Sequence, residues 1–208
     1  MGRQAQPFYK GTYMTTELCL LFEKYRADKC PQIFHSYSPL YYEILSDKRY
    51  TFKNILEIGV GTKKIMRYTA GSEYIPGASL RAWADFFPHA NIFGLDIDKS
   101  VLFKEDRIRC YYTDQSNSNT LLQTMSEIGE KEMDLILDDG SHKLEHMILS
   151  FQTLNKFISK DGIYIIEDIA NKNIDPLLNL VDNSSSFKIH TFYRGNKNWD
   201  SFIAYTRK

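Results

Sequence analysis

A chain of 208 residues with 26 basic and 26 acidic side chains carries no net charge at neutral pH. That balance excludes a general electrostatic pull toward nucleic acid or an anionic membrane surface. The length suits one α/β domain with an N-terminal elaboration, and no apolar run is long enough to span a bilayer.

The first residues, Met1 to Gln6, lack the apolar core of a signal peptide, and Gln6 stands where a myristoylation signal needs Ser or Thr. Cys19, Cys30 and Cys110 are odd in number and widely spaced, with no CxxC pair, so reduced thiols in a cytoplasmic protein are expected. Residues 1–14 are polar and turn-rich and are expected to order weakly. From Thr15 onward Leu18, Leu21, Phe22 and Tyr25 recur at helical spacing behind a threonine cap, and Pro31 is read as the end of that helix. A second helix is expected from about Pro39 through Tyr42, Ile44 and Leu45. Both precede the first convincing strand, so residues 1–50 are read as a helical lid and 51–208 as the core of a single domain.

The first strand, Asn54 to Ile58, runs into Gly59, Val60 and Gly61, as a turn requires where a ligand must approach the backbone closely. Lys64 stands where a dinucleotide-binding fingerprint would place a third glycine. Between Thr62 and Asp85 lies a long glycine- and proline-containing insertion, a length usually associated with function. Tyr74 and Arg81 on it could face a substrate, although Arg81 could instead clamp the loop, and Trp83 with Phe86 and Phe87 reads as core. A second strand, Asn91 to Asp96, ends in a carboxylate, and Asp98 is read as solvated or helix-capping. The third, Ile108 to Thr113, ends in Asp114 and Gln115, which are either ligand contacts or an ordinary turn capping the next helix.

Met133 to Leu137 reads as a buried strand ending in Asp138, Asp139, Gly140, Ser141 and His142. Ile163 to Ile166 ends likewise in Glu167 and Asp168. Ligands of open α/β sheets sit outside the carboxyl ends of the strands. Acidic pairs at two such ends, with a histidine beside them, point to a divalent-cation site. An imidazole titrates near neutrality, which makes His142 a candidate proton acceptor; the alternative is that these residues merely cap helices. His146 would share a helical face with His142 if a helix starts at Ser141, and a packing or supporting hydrogen bond suits it better than ligation. Asn183 to Ser186 looks like a short flexible connection before a final pair of strands at 186–192 and 201–205.

The pattern Glu57-Ile58-Gly59-Val60-Gly61 after a strand resembles the S-adenosylmethionine-dependent methyltransferases of the doubly wound type. The run from Pro76 to Pro88, followed by Gly94-Leu95-Asp96, by Asp139 to His142 and by Ile166 to Asp168, is similar to the metal-dependent sugar O-methyltransferases that modify deoxysugars of macrolide glycosides. The similarity covers roughly positions 52 to 170, and the segment from Lys24 to Lys29 shares it.

That resemblance implies a Rossmann-like α/β sheet of about seven strands with a C-terminal antiparallel strand. It implies S-adenosylmethionine and Mg²⁺ as cofactors. Glu57, Gly59, Gly61 and Asp96 would line the cofactor site, joined by Asp138 and, if they are ligand contacts, by Asp114 and Gln115 at the adenine. Asp139, Glu167 and Asp168 would hold the metal, with His142 as base. The implied reaction methylates a hydroxyl of a sugar, such as rhamnose on a glycan or glycoside. Alternatives are a catechol or other small vicinal-diol methyltransferase, or a non-catalytic cofactor-binding domain. A homo-oligomer, or a place within a longer glycan-building protein, is left open.

Overall fold

The computed structural model describes residues 14–129, 131–181, 185–195, 198 and 200–208. The turn-rich start, Asn183 and Ser184 of the expected connection, and Asn196 and Lys197 lie outside the described residues. The helices are α1 (Glu17–Tyr25), α2 (Ser38–Leu45), α3 (Lys63–Met66), α4 (Ala78–Phe86), α5 (Ser118–Ile128), α6 (Leu144–Leu154) and α7 (Ile174–Leu178). The strands are β1 (Asn54–Ile58), β2 (Asn91–Asp96), β3 (Ile108–Tyr112), β4 (Met133–Asp138), β5 (Ile158–Ile166), β6 (Phe187–Arg194) and β7 (Ser201–Arg207). They form a seven-stranded sheet in the order β3-β2-β1-β4-β5-β7-β6. The chain divides into two compact units, with the boundary between Asp114 and Gln115.

In the unit ending at Asp114, β1 pairs in parallel with β2 and β2 with β3. Thr16 caps α1 as expected, its side chain accepting the Cys19 N–H. The helix stops at Arg26, however, five residues before Pro31. Arg26 adopts the left-handed conformation (φ 59°) and its N–H returns to the carbonyls of Phe22 and Glu23. Its guanidinium then donates twice to the Ala70 carbonyl, at 2.8 and 3.0 Å. The insertion is also shorter than the sequence indicates. Gly77 (φ 79°) precedes α4, so Ala78 to Arg81 are already helical.

The core of this unit is aromatic. Phe22 meets Trp83 edge to face, with centroids 4.9 Å apart, and Tyr41 and Phe87 flank the same indole. Trp83, Phe86 and Phe87 are fully buried, as their helical spacing indicates.

In the unit beginning at Gln115, β4 pairs in parallel with β5, while β7 lies antiparallel between β5 and β6. Leu135, Ile136 and Leu137 are buried on both faces of β4, which accounts for an apolar run without alternation. Phe151 of α6 packs on Tyr164, Phe187 and Tyr205. The final strands form the expected antiparallel pair but extend further, to Arg194 and Arg207.

Gly94 tests how tightly α4 is seated on β2. A Cβ there would lie 2.6 Å from Leu80 Cδ1 and 3.0 Å from both Cys110 Sγ and Val60 Cγ2. Gly94→Ala is therefore expected to destabilise the fold by about 1–3 kcal/mol, read as a lowered denaturation midpoint. An unchanged midpoint would mean that α4 gives way freely.

Candidate active site

In the unit ending at Asp114, the glycine turn follows β1 directly. Gly59 (φ 102°) and Gly61 (φ 84°) take conformations that side chains rarely adopt. Asp96, at the tip of β2, accepts the N–H groups of Val60 (2.9 Å) and Gly61 (3.2 Å) on one oxygen and that of Asp98 (2.8 Å) on the other. Asp98 in turn caps the following short helix through the Ser100 N–H. Tyr74 is buried beneath the turn, its hydroxyl donating to the Val60 carbonyl at 2.8 Å. Burial pushes its pKa up. Arg81 pairs with Glu105 and donates to the Pro76 carbonyl, so it clamps the insertion. Both residues read as substrate-facing are thus engaged in internal contacts.

Glu57 has no exposed surface. Ser79 Oγ and Trp83 Nε1 each donate to it at 2.8 Å, and Lys29 Nζ lies 3.5 Å away, itself buried. The sequence reading missed Lys29 as the partner. Its signal was a lysine that closes the Lys24–Lys29 segment just where the chain leaves α1. Asp114 is half-buried after β3, and α5 is capped by Asn117, not by Asp114.

In the unit beginning at Gln115, β4 and β5 end beside each other, with the Glu167 N–H donating to the Asp138 carbonyl at 3.0 Å. Asp138 and Glu167 are buried, whereas Asp139 and Asp168 are part-exposed, because successive residues leave a strand on opposite faces. His142 Nε2 lies 3.1 Å from Asp139 Oδ1 and 3.9 Å from Asp168 Oδ2. Ligand atoms of these three residues all fall within 4.8 Å of one another. Glu167, expected to ligate with them, lies outside this group. The oxygen donors suit a hard cation such as Mg²⁺, so the donor set fits the group that the resemblance implies.

The helix after this turn starts at Leu144, not Ser141, so His142 and His146 do not share a helical face. His146 Nδ1 instead bonds Ser141 Oγ at 2.8 Å, the supporting role expected of it. Gln115 is buried, its Nε2 donating to Asp138 Oδ1 at 2.6 Å and its Oε1 accepting the Ser141 N–H at 2.9 Å. Burial raises the Asp138 pKa to about 7, against the lowering effect of Gln115 and of the Gly140 N–H. For His142, burial opposes the charged form but is outweighed by the hydrogen bond and charge of Asp139 and the charges of Asp168 and Asp138, which raise the pKa to about 9.

A sheet in this order with an antiparallel β7, a glycine turn after β1 and carboxylates at the strand ends defines the class I S-adenosylmethionine-dependent methyltransferase fold. Within that class the chain resembles the metal-dependent sugar O-methyltransferases, on the following comparisons. Over 135 residues it is 36% identical to mycinamicin VI 2''-O-methyltransferase of Micromonospora griseorubida. Over 137 residues it is 32% identical to 8-demethyl-8-(2-methoxy-alpha-L-rhamnosyl)-tetracenomycin-C 3'-O-methyltransferase of Streptomyces olivaceus. These alignments take in 65% and 66% of this chain but only 32% and 33% of the relatives, so the chain matches about a third of their length. MycE methyltransferase from the mycinamycin biosynthetic pathway, in complex with Mg and SAH, superposes with a TM-score of 0.71 at 25% identity, covering 94% of this chain and 55% of MycE. No family model matches the chain.

Lys29→Met leaves the Glu57 charge buried without its cation and is expected to cost about 3–5 kcal/mol of stability in denaturant titrations. A loss below about 1 kcal/mol would show that Ser79 and Trp83 suffice for that carboxylate. In protein stripped of divalent cations by chelation, the His142 ring is expected to titrate near 9, above its ordinary value of 6.5. Because the folded value is the raised one, the stabilising contribution is fully present below about 6.5 and is lost as pH climbs through about 9. NMR titration of the ring protons reads this directly, and a midpoint at or below 6.5 would contradict the ion pairs described above.

Proposed function

We propose that this region transfers a methyl group from S-adenosylmethionine to a sugar hydroxyl with the help of Mg²⁺, the acceptor being a deoxyhexose such as rhamnose on a glycan or glycoside. The observation that carries the reading is the convergence of Asp139, His142 and Asp168. The likeness to sugar O-methyltransferases supports it from outside the structure. Residues 1–208 act in this reading as one methyltransferase domain, with the N-terminal helices as its lid. Its location is cytoplasmic, which the free thiols of Cys19, Cys30 and Cys110 suit. A homo-oligomer or a longer glycan-building protein would be the setting in which it works.

The chemistry is an in-line displacement. The acceptor oxygen forms a bond to the methyl carbon as the carbon–sulfur bond breaks, and S-adenosylhomocysteine leaves. A sugar hydroxyl is a weak acid, so its proton needs an acceptor, and we assign that role to the His142 ring through Nδ1, since Nε2 donates to Asp139. Asp139 fixes the ring through their 3.1 Å contact. Asp139 and Asp168 would hold the cation, and Glu167 is the further ligand that the resemblance implies. When bound, Mg²⁺ supplies Lewis-acid activation of neighbouring hydroxyls and offsets the carboxylate charge that keeps His142 protonated. The turn through Gly59 and Gly61 would receive the methionine end of the methyl donor, Gly61 also making room for Tyr74, whose hydroxyl a Cβ there would meet at 2.5 Å. Asp96, which has two acceptor oxygens, would receive the ribose hydroxyls in exchange for turn amides.

Calorimetric titration with S-adenosylhomocysteine, with and without Mg²⁺, and a transfer assay on rhamnosides with EDTA as control test the proposal. Binding and EDTA-sensitive transfer are expected, and His142→Ala should lower the rate by about 10²- to 10⁴-fold while leaving S-adenosylhomocysteine affinity intact. Turnover on catechols but on no glycoside would move the acceptor to small aromatic diols. Absence of binding would sink the reading.

A further inference from the structure

We infer that Gln115 is a positioning residue that holds the Asp138–His142 turn in its working shape, rather than a contact to the methyl donor. The inference rests on the metal-assisted methyl-transfer reading above. Both ends of the side-chain amide are committed. Nε2 donates to Asp138 Oδ1 at 2.6 Å and Oε1 accepts the Ser141 N–H at 2.9 Å. The two partners dictate the orientation of the amide. A flip would set its oxygen against the Asp138 carboxylate and its NH₂ against a backbone donor, making two repulsive contacts in place of two bonds. With only 7% of its surface exposed, Gln115 makes these bonds largely shielded from water, where leaving either partner unsatisfied is costly.

The position of those partners gives the amide its leverage. Ser141 lies between Asp139 and His142, and His142 follows it in the left-handed conformation (φ 57°). The same serine is held a second time, through its hydroxyl, by His146 from the first turn of α6. Asp138 directly precedes Asp139, so holding its carboxylate holds the start of the turn. Gln115 therefore spans both ends of the short turn that aims Asp139 and His142 at each other. In metal sites, groups that orient the ligands without touching the ion typically change affinity or activity by about 10- to 100-fold when removed.

The test compares wild type with Gln115→Leu, which keeps the bulk and loses both bonds. Expected are faster amide hydrogen exchange at Ser141, Mg²⁺ affinity weakened by about 10- to 100-fold, and a kcat reduced to a similar extent. S-adenosylhomocysteine affinity measured without Mg²⁺, and KM for the methyl donor, should be unchanged. A loss of S-adenosylhomocysteine affinity with Mg²⁺ affinity intact would overturn the inference and make Gln115 a cofactor contact. If the leucine variant does not fold, the wild type alone decides: a Ser141 amide that exchanges as fast as open loop amides also overturns it. Failure of the functional reading is seen separately, as wild-type protein that binds Mg²⁺ but methylates no glycoside, since amide exchange and cation affinity still read the role of Gln115.

Discussion

The Glu57 carboxylate has no exposed surface, and the elements packed over the end of β1 are arranged to answer it. Removing such a charge from water costs several kcal/mol unless partners replace the lost hydration. Lys29 from the segment after α1 and Ser79 and Trp83 from α4 are among those that do so here. The requirement thus fixes where two separate elements dock on one strand end, two residues ahead of the first glycine of the turn. Trp83 serves twice, since its ring face and edge fill the core against Phe22 and Tyr41 while its N–H reaches the carboxylate. An aromatic core with a polar handle is a use to which tryptophan is suited.

The unit beginning at Gln115 solves a similar problem with a neutral partner. Asp138 is as buried as Glu57, but the group that meets it is an amide and not an ammonium. An amide hydrogen bond offsets desolvation less than a full charge does, which is consistent with a pKa raised by burial to about 7. Strand geometry then separates the acidic pairs into two kinds. Asp138 and Glu167 turn inward, while Asp139 and Asp168 turn toward the surface, where His142 joins them. Carboxylates adjacent in sequence therefore have unlike surroundings, and only the outward ones converge with the imidazole.

Much of this was legible in the sequence because the strands are short apolar runs closed by Gly or Asp. The bounds of β1, β2 and β4 follow from that alone. Helix ends were harder. Arg26 stops α1 by a left-handed cap that any residue can be forced to make, and Pro31 offered a more obvious but later signal. The start of α4 was hidden because Gly77 reads as one more loop glycine. Around the site, the residue types with chemistry of their own were identifiable, and so was the supporting part of His146, but the partners of Gln115 and Lys29 were not. Gln115 is 23 residues from Asp138 and 26 from Ser141, and one of its two bonds goes to a backbone N–H, which leaves no trace in residue identity. Lys29 closes the Lys24–Lys29 segment that shares the resemblance, but a lysine in a polar segment reads as solvated until its burial is seen.

Backbone conformation supplies an independent pointer to the same place. Among the described residues, three that are not glycine have positive φ: Arg26, His142 and Asp168. Arg26 is explained by its helix cap. The other two stand at the ends of different strands and meet side chain to side chain. Asp and His tolerate the left-handed region better than branched residues, yet it still costs them on the order of 1 kcal/mol or more. In ordinary turns such positions go to Gly or Asn. Here each is filled by a side chain that an ordinary turn does not need but a proton acceptor or a cation ligand does. The strain and the chemistry coincide because turning the backbone left-handed is what lets polar groups leaving neighbouring strands face one another.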